Sequence, residues 1–179
     1  MTDEKSNQAD SARNWWQHMT GRGDGPADRA GLARLRRLAV DEAMTEEPVL
    51  RLFRWLGFKN PARLRRVAAL ACVLAHVREH RSGGFGHQIG RARFSDDERT
   101  AKLKPIRFRR LLAASTDEEI ATSFRRAVTI LGGEADVADV ARIILNFERE
   151  PVRRRLIFDY YATGELEDTA TTPSPSPQA

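Results

Sequence analysis

The chain has one cysteine, four lysines, two tyrosines and no long apolar run. A lone Cys72 can form no internal disulfide. Its setting, Ala68-Ala69-Leu70-Ala71-Cys72-Val73-Leu74, reads as core rather than as a reactive thiol. No stretch approaches the roughly 18 apolar residues that span a bilayer. The opening MTDEKSNQADSARN lacks the apolar region of a secretory signal, so the expected location is the cytoplasm, with no membrane partner. Alternation of Val, Ile, Thr and aromatics is nearly absent, which argues against a sheet. Missing too are a Gly-x-Ser-x-Gly elbow, a cysteine pair and a clustered set of carboxylates.

Arginine is abundant instead. Residues 13–161 hold 29 basic and 19 acidic side chains, a formal +10 that the acidic ends dilute to +5 for all 179 residues. Residues 51–110 are steeper still, with 16 basic against 4 acidic. Such a field concentrates polyanions, and the guanidinium fork matches phosphate geometry. The arginines fall into sets: Arg34/Arg36/Arg37, Arg63/Arg65/Arg66, Arg91/Arg93, Arg107/Arg109/Arg110, Arg125/Arg126 and Arg149/Arg153/Arg154/Arg155. Few aromatics stand among them, and no zinc finger, basic zipper or clear helix-turn-helix is visible. That favours tracking of a phosphate backbone over reading of bases, on single- or double-stranded nucleic acid.

Apolar spacings of three and four predict an all-α fold, a bundle of about eight or nine helices in two lobes. Residues 1–9 are expected to be a disordered tail. A first helix should start near Asp10 or Ser11 and carry Trp15, Trp16 and Met19. Adjacent helical residues diverge by about 100°, so one tryptophan is expected in the core and the other at a lobe junction or a partner. Tyr160-Tyr161 reads the same way. Asp28 should cap a helix with Leu32, Leu35 and Leu38 inside, and Pro48 should open one burying Leu50, Phe53 and Leu56, stopped by Gly57. After Asn60-Pro61 the longest helix is predicted to reach about His80 and to be central. The lobes are placed at residues 10–81 and 96–162, joined by a Gly-rich connection over 82–95 with a short helix at Ile89–Phe94. Ser95 with Glu98, and Thr116 with Glu119, have capping-box spacing. Pro105, Asp136 and Pro151 open the remaining helices, and the Ser/Pro-rich residues 163–179 are expected to be disordered.

His76-Val77-Arg78-Glu79-His80 fits the inverted zinc-peptidase pattern, since histidines four apart share a helix face. No segment supplies a third ligand, so the reading preferred is a polar helix end and no enzyme. No metal and no cofactor are expected. Gly84-Phe85-Gly86-His87-Gln88-Ile89-Gly90 resembles a phosphate cradle only in its glycines: no strand precedes it and no Gly-Lys-Ser/Thr follows.

The order of segments also resembles the CasB family, the small subunit of the type I-E CRISPR surveillance complex, Cascade. The resemblance runs from about Ala12 to Tyr161. It rests on Asn14-Trp15-Trp16-Gln17, Arg34-Leu35-Arg36-Arg37 and Phe53-Arg54-Trp55-Leu56-Gly57-Phe58-Lys59-Asn60-Pro61. Further cues are Ile89-Gly90-Arg91-Ala92, Arg107-Phe108-Arg109-Arg110-Leu111-Leu112, the run Ser123 to Leu131, and Tyr160-Tyr161. It implies an all-helical, non-catalytic subunit, present in two copies beside the guide-RNA-binding backbone subunits, so that guide RNA is met only indirectly. Its basic surface would hold the displaced DNA strand and steady the R-loop. The positions nominated are Arg36, Arg37, Arg107, Arg125 and Arg126, then Arg91, Arg110, Arg149 and Arg153, and Arg63 more weakly because Ala62 shifts its register. The alternative from a different class is a free-standing helical nucleic-acid binder such as a repressor, and beyond it a zinc peptidase using His76, Glu79 and His80.

Overall fold

The computed structural model describes residues 2–162, and the expected tail at 163–179 lies outside them. Ten α-helices and one two-stranded sheet follow in order: α1 Thr2–Thr20, α2 Arg29–Leu35, α3 Val40–Ala43, α4 Glu47–Trp55, α5 Leu64–Leu74, β1 Glu79–His80, α6 Phe85–Ile89, α7 Pro105–Leu112, α8 Asp117–Ile130, β2 Glu134–Ala135, α9 Val137–Leu145 and α10 Glu150–Tyr160. The bundle is all-α in character, as the apolar spacing predicts.

Helix α5 is the axis. Val67 to Leu74 are eight consecutive buried residues, and α3, α4, α8 and α9 pack around them. Burying each Val or Leu contributes about 1.5–3 kcal/mol, so this helix dominates the core. It ends at Leu74, six residues before the predicted His80. Beyond it the chain extends, and β1 pairs in parallel with β2, Glu79 opposite Glu134 and His80 opposite Ala135. The apolar pattern identifies the buried helix but not the backbone pairing that replaces its last turns.

Helix α1 starts at Thr2, not near Asp10, so helix replaces the tail expected over residues 2–9. No Gly or Pro interrupts Thr2 to Thr20, and buried Ala9 and Ala12 extend the inward stripe of Trp16 and Met19. Both tryptophans are core. Trp15 Nε1 donates to the Pro48 carbonyl at 2.9 Å and Trp16 Nε1 to Val77 at 3.0 Å. Tyr160 is likewise buried, stacked on Phe108 at 3.7 Å between ring centres. One apolar cluster takes residues from both sides of segment 82–95, and α1 packs most extensively on α9, so the two halves share one core.

Local chemistry explains the remaining boundaries. Asp28 accepts from Gly31 N–H, Asn60 from Ala62 N–H, and Thr116 with Glu119 forms the expected capping box. The box expected at Ser95 is absent: Asp97 caps a short 3-10 turn over Glu98–Thr100. The short helix expected at Ile89–Phe94 lies instead at Phe85–Ile89. Gly90 ends it where any Cβ would stand 2.2 Å from the Tyr160 carbonyl oxygen, so a side chain there is excluded. On α4 the buried residues are Val49 and Leu52, continued by Leu56 at its cap as expected, whereas Phe53 is only partly buried and Leu50 is 44% exposed.

Candidate nucleic-acid interface

The arginines separate by what their guanidinium groups already hold. Arg66 is the most enclosed of the ion-paired arginines. It pairs with Asp117, reaches Glu148 at 2.9 Å and donates to the Ile144 carbonyl at 2.9 Å. Arg63 joins it, donating to the Leu145 carbonyl at 2.7 Å and pairing with Glu148 at 3.3 Å, while Arg65 pairs with Asp41. Burial pushes the Glu148 carboxyl up, but a backbone hydrogen bond and the charges of Arg66 and Arg63 outweigh it and hold it below the ordinary carboxylate value. This network staples α5 and its 3-10 lead-in to α8 and α9.

Three more nominated arginines serve the backbone. Arg36 Nε donates to the Ala75 carbonyl at 2.7 Å, and Arg125 donates to Leu38 at 3.0 Å. Arg91 donates to Tyr161 and Asp96 carbonyls, each at 3.0 Å, and lies over the rings of Phe94 and Tyr161. Each satisfies a carbonyl at the end of a helix or turn. With Arg63, these are nominated positions whose guanidiniums are wholly or partly committed to the fold.

The other six nominated side chains, Arg37, Arg107, Arg110, Arg126, Arg149 and Arg153, have no carboxylate within ion-pair distance among the described residues. Helix α7 packs on α8, and Arg110 and Arg126 line the groove between them with Ala113, Ala114, Thr122 and Ser123. Arg107 lies one turn before Arg110 on α7, while Phe108 and Leu111 turn inward. Two carboxylates share the groove, and both are engaged. Glu118 accepts from Val40 N–H, and Glu119 accepts from Ser115 and Thr116 N–H, bonds that hold its carboxyl below the ordinary value. Arg149, at the N-cap of α10, and Arg153, one turn further on, do not line this groove.

One turn beyond Arg126, Thr129 opens a second concavity of about 270 Å³, lined by Arg36, His76, Arg78, Thr129, Gly132 and Gly133. No carboxylate lines it among the described residues. Gly133 (φ +88°) leaves room for the Arg78 stem, which a Cβ would meet at 3.0 Å. The sequence nominates neither Arg78 nor Thr129, because only the turn after α8 brings them to Arg36.

The zinc-peptidase pattern loses its premise here. His76 lies past the end of α5 and His80 in β1, so the two do not share a helix face. His76 Nδ1 is 2.9 Å from the Cys72 carbonyl, and His80 Nδ1 accepts from Val137 N–H at 3.2 Å. Among the described residues no group of three or more His, Cys, Asp or Glu could hold a metal. Among them, too, no helix is long and apolar enough to cross a membrane.

The family model of the CRISPR-associated protein Cse2 matches residues 31–161, about three-quarters of the chain. The chain belongs to the Cse2 family. It is a small subunit of a CRISPR Cascade complex and assembles with other subunits. Searches of curated proteins and of solved structures returned no match. The Cse2 match holds every nominated arginine and begins after α1, so the Asn14 to Gln17 opening lies outside it.

Proposed function

We infer that this Cse2 chain is the non-catalytic, DNA-facing small subunit of a type I-E Cascade, acting in the cytoplasm beside the guide-RNA-binding backbone subunits and a second copy of itself. Its part is to hold the displaced single strand and so steady the R-loop. The observation that carries this reading is the groove between α7 and α8, where Arg110 and Arg126, with Arg107 one turn away on α7, stand without ionic partners among the described residues while the local carboxylates are occupied. A single strand needs a charged groove to follow and no base code. R-loop formation exchanges duplexes of similar stability, so a few phosphate contacts tip it.

The test is an assembled complex carrying Arg110→Ala with Arg126→Ala. Protection of the displaced strand from nuclease should fall while subunit stoichiometry and guide-RNA content stay unchanged. Full protection with the subunit in place would reduce these arginines to solvated faces.

A further inference from the structure

Building on that reading, we propose that the concavity formed by Arg36, His76, Arg78 and Thr129 is a socket for one phosphate group of the bound strand, and that filling it takes up a proton on His76. The socket continues the groove. Along α8, Thr122, Ser123 and Arg126 line the first concavity, and Thr129 and Gly132 the second, so one strand running along the helix meets both. Its lining holds two guanidiniums whose donors suit an oxyanion. Arg36 spends its Nε on the Ala75 carbonyl and keeps its two terminal nitrogens. Among the described residues Arg78 has no side-chain hydrogen bond or ion pair, and its stem rests on Gly133. The Thr129 hydroxyl donates to the Arg125 carbonyl at 2.9 Å and forms only the wall. Two guanidiniums, with no carboxylate among the described lining to neutralise them, match a phosphodiester.

His76 sets the proton requirement. The Cys72 carbonyl can only accept, so Nδ1 carries the hydrogen of that 2.9 Å bond. In the neutral ring Nε2 is then a lone pair, which repels a phosphate oxygen. In the imidazolium it is a donor. In the free protein the neutral form is favoured: burial acts first, the Cys72 carbonyl opposes it, and the charges of Arg125 on α8 and Arg36 beyond α2 push further down from the ordinary 6.5. Arg78 adds a third cation at the same concavity. A bound phosphate reverses the sign of that field. The pKa of His76 therefore rises on binding, and affinity increases as the pH falls through the interval between the free and bound values.

The experiment uses the full chain, a labelled oligothymidylate and inorganic phosphate as separate probes, with His76 followed by NMR. Three results are expected together. Oligothymidylate raises the His76 pKa. Its affinity grows between about pH 8 and about pH 6, by at most about tenfold per pH unit for one linked proton. His76→Gln keeps the affinity seen at the alkaline end but flattens the slope. Arg78→Ala, whose melting temperature checks the fold, should lower the log–log salt slope by about 0.7, one single-strand phosphate. A His76 titration unmoved by oligothymidylate, or an unchanged pH slope in His76→Gln, overturns the socket. So does a shift produced by inorganic phosphate alone, which makes the site one for a free oxyanion. If the socket fails while Arg110→Ala with Arg126→Ala still loses DNA, the groove reading stands. If both sets of variants bind like the parent, the proposed function fails with it.

Discussion

Arg63, Arg65 and Arg66 at the head of α5, and Arg107, Arg110 and Arg126 across α7 and α8, are equally dense arginine sets. The first set meets Asp41, Asp117, Glu148 and two backbone carbonyls. The second makes no ion pair among the described residues, and the two carboxylates in its groove, Glu118 and Glu119, are held by backbone N–H groups. What separates them is the placement of carboxylates distant in sequence. Asp117 lies 51 positions from Arg66, and Glu148 lies 85 from Arg63. A guanidinium already paired offers little to a phosphate, whereas a free one releases counterions when it meets one. The contrast between a stapling face and a binding face rests on this difference.

The largest expected effect tests the stapling face. Arg66 is only 15% exposed and its removal leaves Asp117, Glu148 and the Ile144 carbonyl short of a donor. Arg66→Ala should lower unfolding free energy by about 2–4 kcal/mol in urea titrations, with DNA affinity of the folded fraction unchanged. A loss below about 0.5 kcal/mol, the scale of a plain surface change, would erase the contrast.

Next comes the binding face in the isolated chain. Arg110→Ala with Arg126→Ala should weaken oligothymidylate binding about tenfold at low salt, about 1.4 kcal/mol, and flatten the salt slope by about 1.4. The melting temperature should not move. A destabilised double variant would instead make these side chains structural.

Acid sharpens the contrast at smaller cost. A carboxylate whose folded pKa lies below its unfolded value stabilises the fold above the unfolded value and ceases to as the folded value is passed. Glu148 is such a group, so its contribution is present above the ordinary 4.5 and lost below it. Half-exposed, it should contribute about 0.5–1 kcal/mol, and Glu148→Gln should remove that at neutral pH and blunt the acid limb of the stability curve. Smallest of all, the exposed Arg154–Glu150 pair on α10 should contribute about 0.3 kcal/mol, and Arg154→Ala should be nearly silent in the same titration.

The fold was largely legible because helices announce themselves locally. Asp28, Asn60, Thr116 with Glu119, Pro48 and Pro105 mark starts through short-range chemistry, and the apolar run around Cys72 marks the axis. What escaped is non-local. The β1–β2 pairing that cuts α5 short depends on a partner strand more than fifty residues away, and two indole N–H groups found carbonyls only because α1 lies deep in the bundle. The nominated arginines were a mixture for the same reason. Nothing near Arg36, Arg91 or Arg125 in the chain announces that a distant backbone carbonyl awaits it.

The small parallel sheet also bears on the order of events during synthesis. Arg78 N–H donates to the Gly133 carbonyl at 2.8 Å, and Arg81 N–H to Ala135 at 3.0 Å, so the wall of the concavity beside His76 is completed by residues made much later. A ribosome will have delivered Arg36, His76 and Arg78, and most of the chain's positive charge, before Gly132 and Gly133 appear. Closing such a long loop is slow compared with winding a helix. An unfinished subunit thus carries the charge of a nucleic-acid binder without its shaped cavity, and can hold polyanions only through scattered, salt-sensitive contacts. Competence to grip a strand arrives with the last third of the polypeptide, when the two clasped segments meet.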